Sequence, residues 1–224
     1  MDTPTTQSAP YLGGKKDYLL GLLAGLFIGL LLLPILKNAK PSLYNQVYLL
    51  VVPFFAIGVP VGLIVASFIA RKIALVWQLA KFLVIGVMNT LVDLGVLALI
   101  TILVASDTRH ASESTWFTLA TLVVTYYSLY KAISFIVANI NSFFWNKYWT
   151  FGSEARNSNP HQFVQFFLVS LVGFAINVIV ASVLFSALST QFTIGQAGLI
   201  GAAMGSIIGL AWNFVGYKFF VFKK

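Results

Sequence analysis

Six long apolar runs, at about 18–36, 45–70, 79–104, 117–145, 163–188 and 195–217, fill most of a 224-residue chain, and only short polar or charged stretches separate them. A helix needs about 20 mainly apolar residues to cross about 30 Å of hydrocarbon. Backbone amides find no water there, so runs of this length imply helices that satisfy their own hydrogen bonds. The pattern predicts an all-α polytopic membrane helix bundle of about six transmembrane helices. Composition agrees: 59% of residues are apolar and 9% charged, against roughly 25% charged in soluble domains, and the mean hydropathy is +0.90. A water-soluble fold is excluded. The fourth run is ambiguous, because Lys131 interrupts it and residues 115–127 either open the span or lie along the membrane interface.

The polar, proline- and glycine-containing residues 1–14 are expected to form a disordered lead, and residues 15–72 an N-terminal two-helix hairpin. The stretch from Leu19 to Leu36 is too long for a signal-peptide core and shows no small-residue cleavage site, so it is expected to remain as a span. Orientation follows from lysine and arginine. With a cytoplasmic amino terminus, Lys15, Lys16, Arg71, Lys72, Lys81, Lys147, Arg156, Lys218, Lys223 and Lys224 fall inside, and only Lys37, Lys40, Arg109 and Lys131 outside. This bias predicts a multi-pass protein of the cytoplasmic membrane with both termini cytoplasmic. It also accounts for the net charge of +8 without a nucleic-acid partner, which would need a basic face on a soluble element.

The chain has no cysteine, which removes disulfides, thiolate metal sites and cysteine nucleophiles. Its two histidines, His110 and His161, fall in different loops predicted on opposite sides of the membrane. No phosphate-cradling glycine loop, nucleophile elbow or zinc-binding helix motif occurs. The expectation is a protein that is not an enzyme and needs no cofactor.

Small residues suggest how the helices meet. Gly21, Gly25 and Gly29 recur every fourth residue in the first span, and Gly201, Gly205, Gly209 and Asn213 do so in the last. Such stripes allow close backbone approach, and ordinary packing explains them. Pro53 and Pro60 are expected to bend the second span. The last four spans also show a weak duplication. QLAKFLVIGVMNTLVDLGV at Gln78–Val96 lies over QFVQFFLVSLVGFAINVIV at Gln162–Val180, setting Phe82 on Phe166 and Asp93 on Asn177. The hairpin ends correspond as well, NKYWTF at 146–151 with YKFFVF at 217–222, so that Lys147 matches Lys218. Two tandem two-helix repeats, about 78–152 and 162–224, are predicted, forming a parallel repeat.

Through FLVIGVMNTLVDLGVLALI, ISFIVANINSFFWNKYWTF and the closing AWNFVGYKFFVF, residues 78–224 resemble the GtrA-like family of small membrane proteins. The resemblance implies a four-helix domain associated with cell-surface polysaccharide synthesis. It further implies translocation of a polyprenyl-phosphate-linked sugar across the cytoplasmic membrane. Related four-span units also pair with polyprenyl-phosphate glycosyltransferases, so the resemblance implies, as an alternative, a non-catalytic subunit anchoring such a transferase. Residues 1–72 depart from the family pattern by adding two spans. The expected partners are membrane lipid, a polyprenyl-phosphate sugar, a glycosyltransferase and further copies of the chain.

Asp93 is the one carboxylate deep in a span, twelve residues beyond Lys81 and therefore about 18 Å along the helix. An ionised group at that depth is costly unless it faces a polar interior. Asn89 lies one turn earlier on the same face. Either Asp93 hydrogen-bonds to Asn177 in the duplicated span, or the pair contacts a sugar hydroxyl or relays a proton. Asn139, Asn141, Ser142 and Asn146 in the fourth span, with Asn177 and Asn213 in the fifth and sixth, present carboxamides that suit sugar hydroxyls and equally suit helix-to-helix bonding. Lys147 and Lys218, beside Arg156, either hold a lipid phosphate or anchor the inner interface.

Overall fold

A computed structural model of the chain describes residues 13–104, 109, 111–112, 114–119, 122–152 and 161–223. Asp107, His110, Glu113, Arg156, Lys224 and residues 1–12 of the expected lead lie outside them. The described helices are α1 (Lys15–Ala39), α2 (Pro41–Ala70), α3 (Leu75–Val104), α4 (Tyr126–Trp145), α5 (Gln162–Leu188) and α6 (Ile194–Gly216). Five of them, all but α4, are long and apolar enough to cross a membrane. The polytopic helical bundle read from the sequence is therefore observed. Pro53 and Pro60 lie inside α2, which runs through both.

In the fourth apolar run, the described residues of 115–125, left open above between span and interface, are not helical. Thr115–Leu119 (β1) and Leu122–Thr125 (β2) pair as an antiparallel ribbon, with Thr118 opposite Val123. Threonine, valine and aromatic residues favour this pleated form. The ribbon joins the first turn of α4 directly, since the Tyr126 and Tyr127 amides donate to the Ser114 and Ser112 carbonyls at 3.0 Å each. A two-stranded ribbon leaves unpaired edges that lipid cannot satisfy, so a crossing by this run would rest on α4 alone. Its 20 residues give about 30 Å, enough for one crossing.

The chain forms two compact units, Met1–Trp145 and Asn146–Lys224. In the first, α1 packs along α2, and α3 lies against α1, α2 and α4. The glycine stripe of α1 is an approach surface. Gly25 faces the Phe55 backbone, and a Cβ on Gly29 would stand 2.7 Å from the Val52 Cα. The α1–α3 contact has an ionic pin near its end. Lys81 Nζ donates to Asp17 Oδ1 at 3.2 Å, and Asp17 Oδ2 accepts from the Gly14 amide at 3.0 Å. Trp77 completes this corner, with the Lys81 ammonium 5.2 Å from its ring centre and Tyr18 edge-on at 6.2 Å. Gly13 reaches the same indole at a φ of 71°, where a Cβ would fall 2.6 Å from a ring carbon. Left-handed backbone and lack of space both require glycine there.

In the second unit α5 and α6 pack along the other glycine stripe. Cβ atoms on Gly201 and Gly209 would stand 2.6 and 2.8 Å from the carbonyl oxygens of Ala181 and Gly173. Asn213 continues the stripe and lies against Gly173. The sequence reading of both stripes as packing surfaces therefore holds, and no ligand is needed to explain them.

Candidate functional site

Two polar constellations stand out, one in each unit. In the first, Asp93 on α3 takes both of its partners from α4. Lys131 Nζ donates to Asp93 Oδ2, and the Ser134 hydroxyl donates to Oδ1 at 2.6 Å. Ser134 is fully buried, while the Lys131 and Asp93 side chains are 41% and 19% exposed. Lys131, counted above among the outer charges, lies within α4 and pairs there with Asp93. Antiparallel geometry explains the pairing. Asp93 is twelve residues from Lys81 on α3, and Lys131 is fourteen from Trp145 on α4, about 18 and 21 Å at 1.5 Å per residue.

Around this pair the carboxamides divide. Asn139 donates to the Phe135 carbonyl of its own helix at 2.9 Å, so its amide serves α4. Among the described residues, Asn89 Oδ1 and Asn141 Nδ2 are buried without a hydrogen-bond partner. One is an acceptor and the other a donor. Buried polar atoms of this kind are uncommon, and each calls for a reason.

In the second unit the two matching hairpin ends are both π-helical turns, Asn146–Thr150 and Tyr217–Val221. Each is closed by a phenylalanine amide, Phe151 to the Asn146 carbonyl at 2.9 Å and Phe222 to the Tyr217 carbonyl at 2.8 Å. Such turns occur often at functional sites. Phe151 and Phe222 are both wholly buried and stack on each other with centroids 5.3 Å apart. Phe166 stacks on Tyr217 at 4.0 Å, and the Tyr217 and Ser170 hydroxyls bond at 2.7 Å. The stack ties the two turns together, each carrying a partly exposed lysine four residues before its phenylalanine, Lys147 and Lys218. Each ammonium lies 6.0 Å from a neighbouring ring, Tyr148 for Lys147 and Phe214 and Phe219 for Lys218.

The remaining residues proposed from sequence serve packing. Asn146 is wholly buried at the start of its turn. Asn177 Nδ2 donates to the Ser206 hydroxyl of α6 at 3.4 Å, so both Asn177 and Asp93 find their partners within their own units. Asn213 Oδ1 is buried against Gly173 without a hydrogen-bond partner among the described residues. Asn89, Asp93 and Asn141 thus belong to the α3–α4 hairpin, and Asn146, Lys147, Asn177, Asn213 and Lys218 to the second unit. Sequence reasoning missed Lys131, Ser134 and Asp17. The signal for Lys131 was present as the other charge inside an apolar run at matching depth. Among the described residues, no group of three histidine, aspartate or glutamate side chains could hold a metal ion.

Helices long enough to span, charges paired inside apolar runs and glycine-to-backbone packing define a multi-pass membrane protein. Residues 81–222, more than half of the chain, match the model of the GtrA/DPMS transmembrane domain, and the chain belongs to that family. A relative from Bacillus subtilis (strain 168), the uncharacterized membrane protein YngA, is 27% identical over 144 residues, covering 64% of this chain and 78% of the relative. No solved structure matches the chain.

Proposed function

We propose that the protein moves a polyprenyl-phosphate-linked sugar across the cytoplasmic membrane for cell-surface polysaccharide synthesis. The observation that carries this reading is the α3–α4 seam, where a partly exposed ion pair lies between helices that also carry a spare acceptor on Asn89 and a spare donor on Asn141. A sugar hydroxyl stripped of water costs several kcal/mol in hydrocarbon unless something replaces its bonds. Carboxamides both accept and donate, so they can replace bonds of either sense. Family membership supports the same substrate class. The lysines of the two π turns, placed on the cytoplasmic side by the charge bias, then meet the phosphate at the entrance, and the prenyl tail stays in lipid.

Full-length protein in proteoliposomes tests the proposal with a labelled prenyl-phosphate sugar on one leaflet. Wild-type protein is expected to speed its movement well above empty vesicles. Asn89→Ala and Asn141→Ala are each expected to slow it about tenfold, the effect of one hydrogen bond of about 1.4 kcal/mol. Failure to move every prenyl-linked sugar tried overturns the proposal. Co-purification of a glycosyltransferase, with glycan output in cells indifferent to Asp93→Ala, supports the anchoring subunit in its place.

A further inference from the structure

The acid and the base of the mid-helix pair are not equally occupied. Asp93 has one oxygen on the Lys131 ammonium and the other on the Ser134 hydroxyl. Lys131 has three N–H donors, yet among the described residues Asp93 is the one partner of its ammonium, and its side chain is 41% exposed. Leu94, next to Asp93 on α3, and Tyr127, one turn before Lys131 on α4, are exposed. Cationic donors left without an acceptor in hydrocarbon are costly, so an anionic oxygen ligand suits this position.

We propose that Lys131 binds the phosphate of a lipid-linked ligand within the membrane, and that Asp93 is the counter-ion holding the ammonium when the site is empty. A carboxylate from a neighbouring protein helix would supply acceptors alone. The acceptor on Asn89 lies one turn, about 6 Å, along α3 from Asp93, where it can meet a hydroxyl that the ligand carries near its anion, and the exposed Leu94 suits a prenyl chain. The proposal deepens the translocation reading and rests on it for the lipid character of the ligand.

The test uses full-length protein in nanodiscs of neutral phosphatidylcholine, with bound lipid measured by mass spectrometry. The probes are undecaprenyl phosphate, undecaprenol and inorganic phosphate. Wild-type protein is expected to retain undecaprenyl phosphate over undecaprenol and to resist competition by inorganic phosphate. Lys131→Gln is expected to lower retention at least about tenfold, as for a lost charge-assisted bond. Asp93→Asn removes the competing carboxylate and leaves the ammonium, so its retention is expected to equal or exceed wild type. A purely structural ion pair predicts that both substitutions weaken retention alike, and that result overturns the proposal. Wild-type retention by Lys131→Gln overturns it too, as does equal binding of undecaprenol. Full competition by inorganic phosphate overturns the lipid assignment. If Lys131→Gln does not fold, Asp93→Asn decides by the same criterion. Lys131-dependent binding without lipid movement sinks translocation alone; movement and retention both indifferent to Lys131→Gln sink this site alone.

Discussion

Burying an ion pair takes two groups out of water, so Asp17 and Lys81, with side chains 8% and 6% exposed, steady each other only while both are present. Asp17→Ala leaves the Lys81 ammonium without its counter-charge and removes the acceptor for the Gly14 amide. It is expected to destabilise the first unit by about 3–5 kcal/mol, read as a loss of thermal stability in detergent. Asp17→Leu combined with Lys81→Leu is expected to recover part of that loss, because no charge is then buried without its counter-charge. If Asp17→Ala melts with the wild type, the pair carries no weight in the α1–α3 contact. The sequence made Asp93 legible as the deep carboxylate, because one charge within a long apolar run is conspicuous. Its partner was harder to see. Lys131 interrupts the fourth apolar run, and with residues 115–127 open between span and interface, a count of charges by loop assigns it to the outer surface. Asp17, at the very start of a span, looked like part of a polar flank for the same reason.

The duplicated hairpin ends show what an element contributes beyond its residues. Asparagine or tyrosine, then lysine, then aromatics, marked both endings as alike, but nothing in that spelling dictates a π turn. The wider turn brings the fifth following amide onto the first carbonyl, and the two phenylalanines buried by it form one stack. Phe151→Ala and Phe222→Ala are each expected to cost about 3–5 kcal/mol, the range for a buried aromatic truncated to alanine. The double substitution is expected to cost less than the sum by about 0.5–1.5 kcal/mol, since each single change already removes the shared ring contact. Strict additivity in a double-mutant cycle would show that the stack does not couple the turns. The glycine stripes were readable because their spacing matches the helical repeat and close approach leaves room for no side chain. The ribbon at Thr115–Thr125 was not readable in the same way: hydropathy alone does not separate a strand of threonine, valine and aromatics from the start of a span.

At the scale of the molecule, the number of crossings decides which sites share a membrane face. Five helices meet the length and hydropathy of a span without help, and five crossings would leave the two termini on opposite sides. The count turns on α4, which carries Lys131 and has 20 residues in which to cross. A charge at the bilayer centre costs about 2.5–3.5 kcal/mol on insertion scales. Here Asp93 on the neighbouring helix offsets it by pairing. Hairpin partners that neutralise each other in this way allow α4 to span, and a sixth crossing would put both termini on the cytoplasmic face favoured by the lysine bias. The chain has no native cysteine, so single cysteines report topology without background. Lys40→Cys is expected to react with a membrane-impermeant maleimide in intact cells, whereas Lys72→Cys and Lys223→Cys react only after lysis. If Lys223→Cys is labelled from outside while Lys72→Cys is protected, α4 does not cross. Lys147 and Lys218 would then lie on the outer face, and the entrance assigned to the phosphate would be on the wrong side of the membrane.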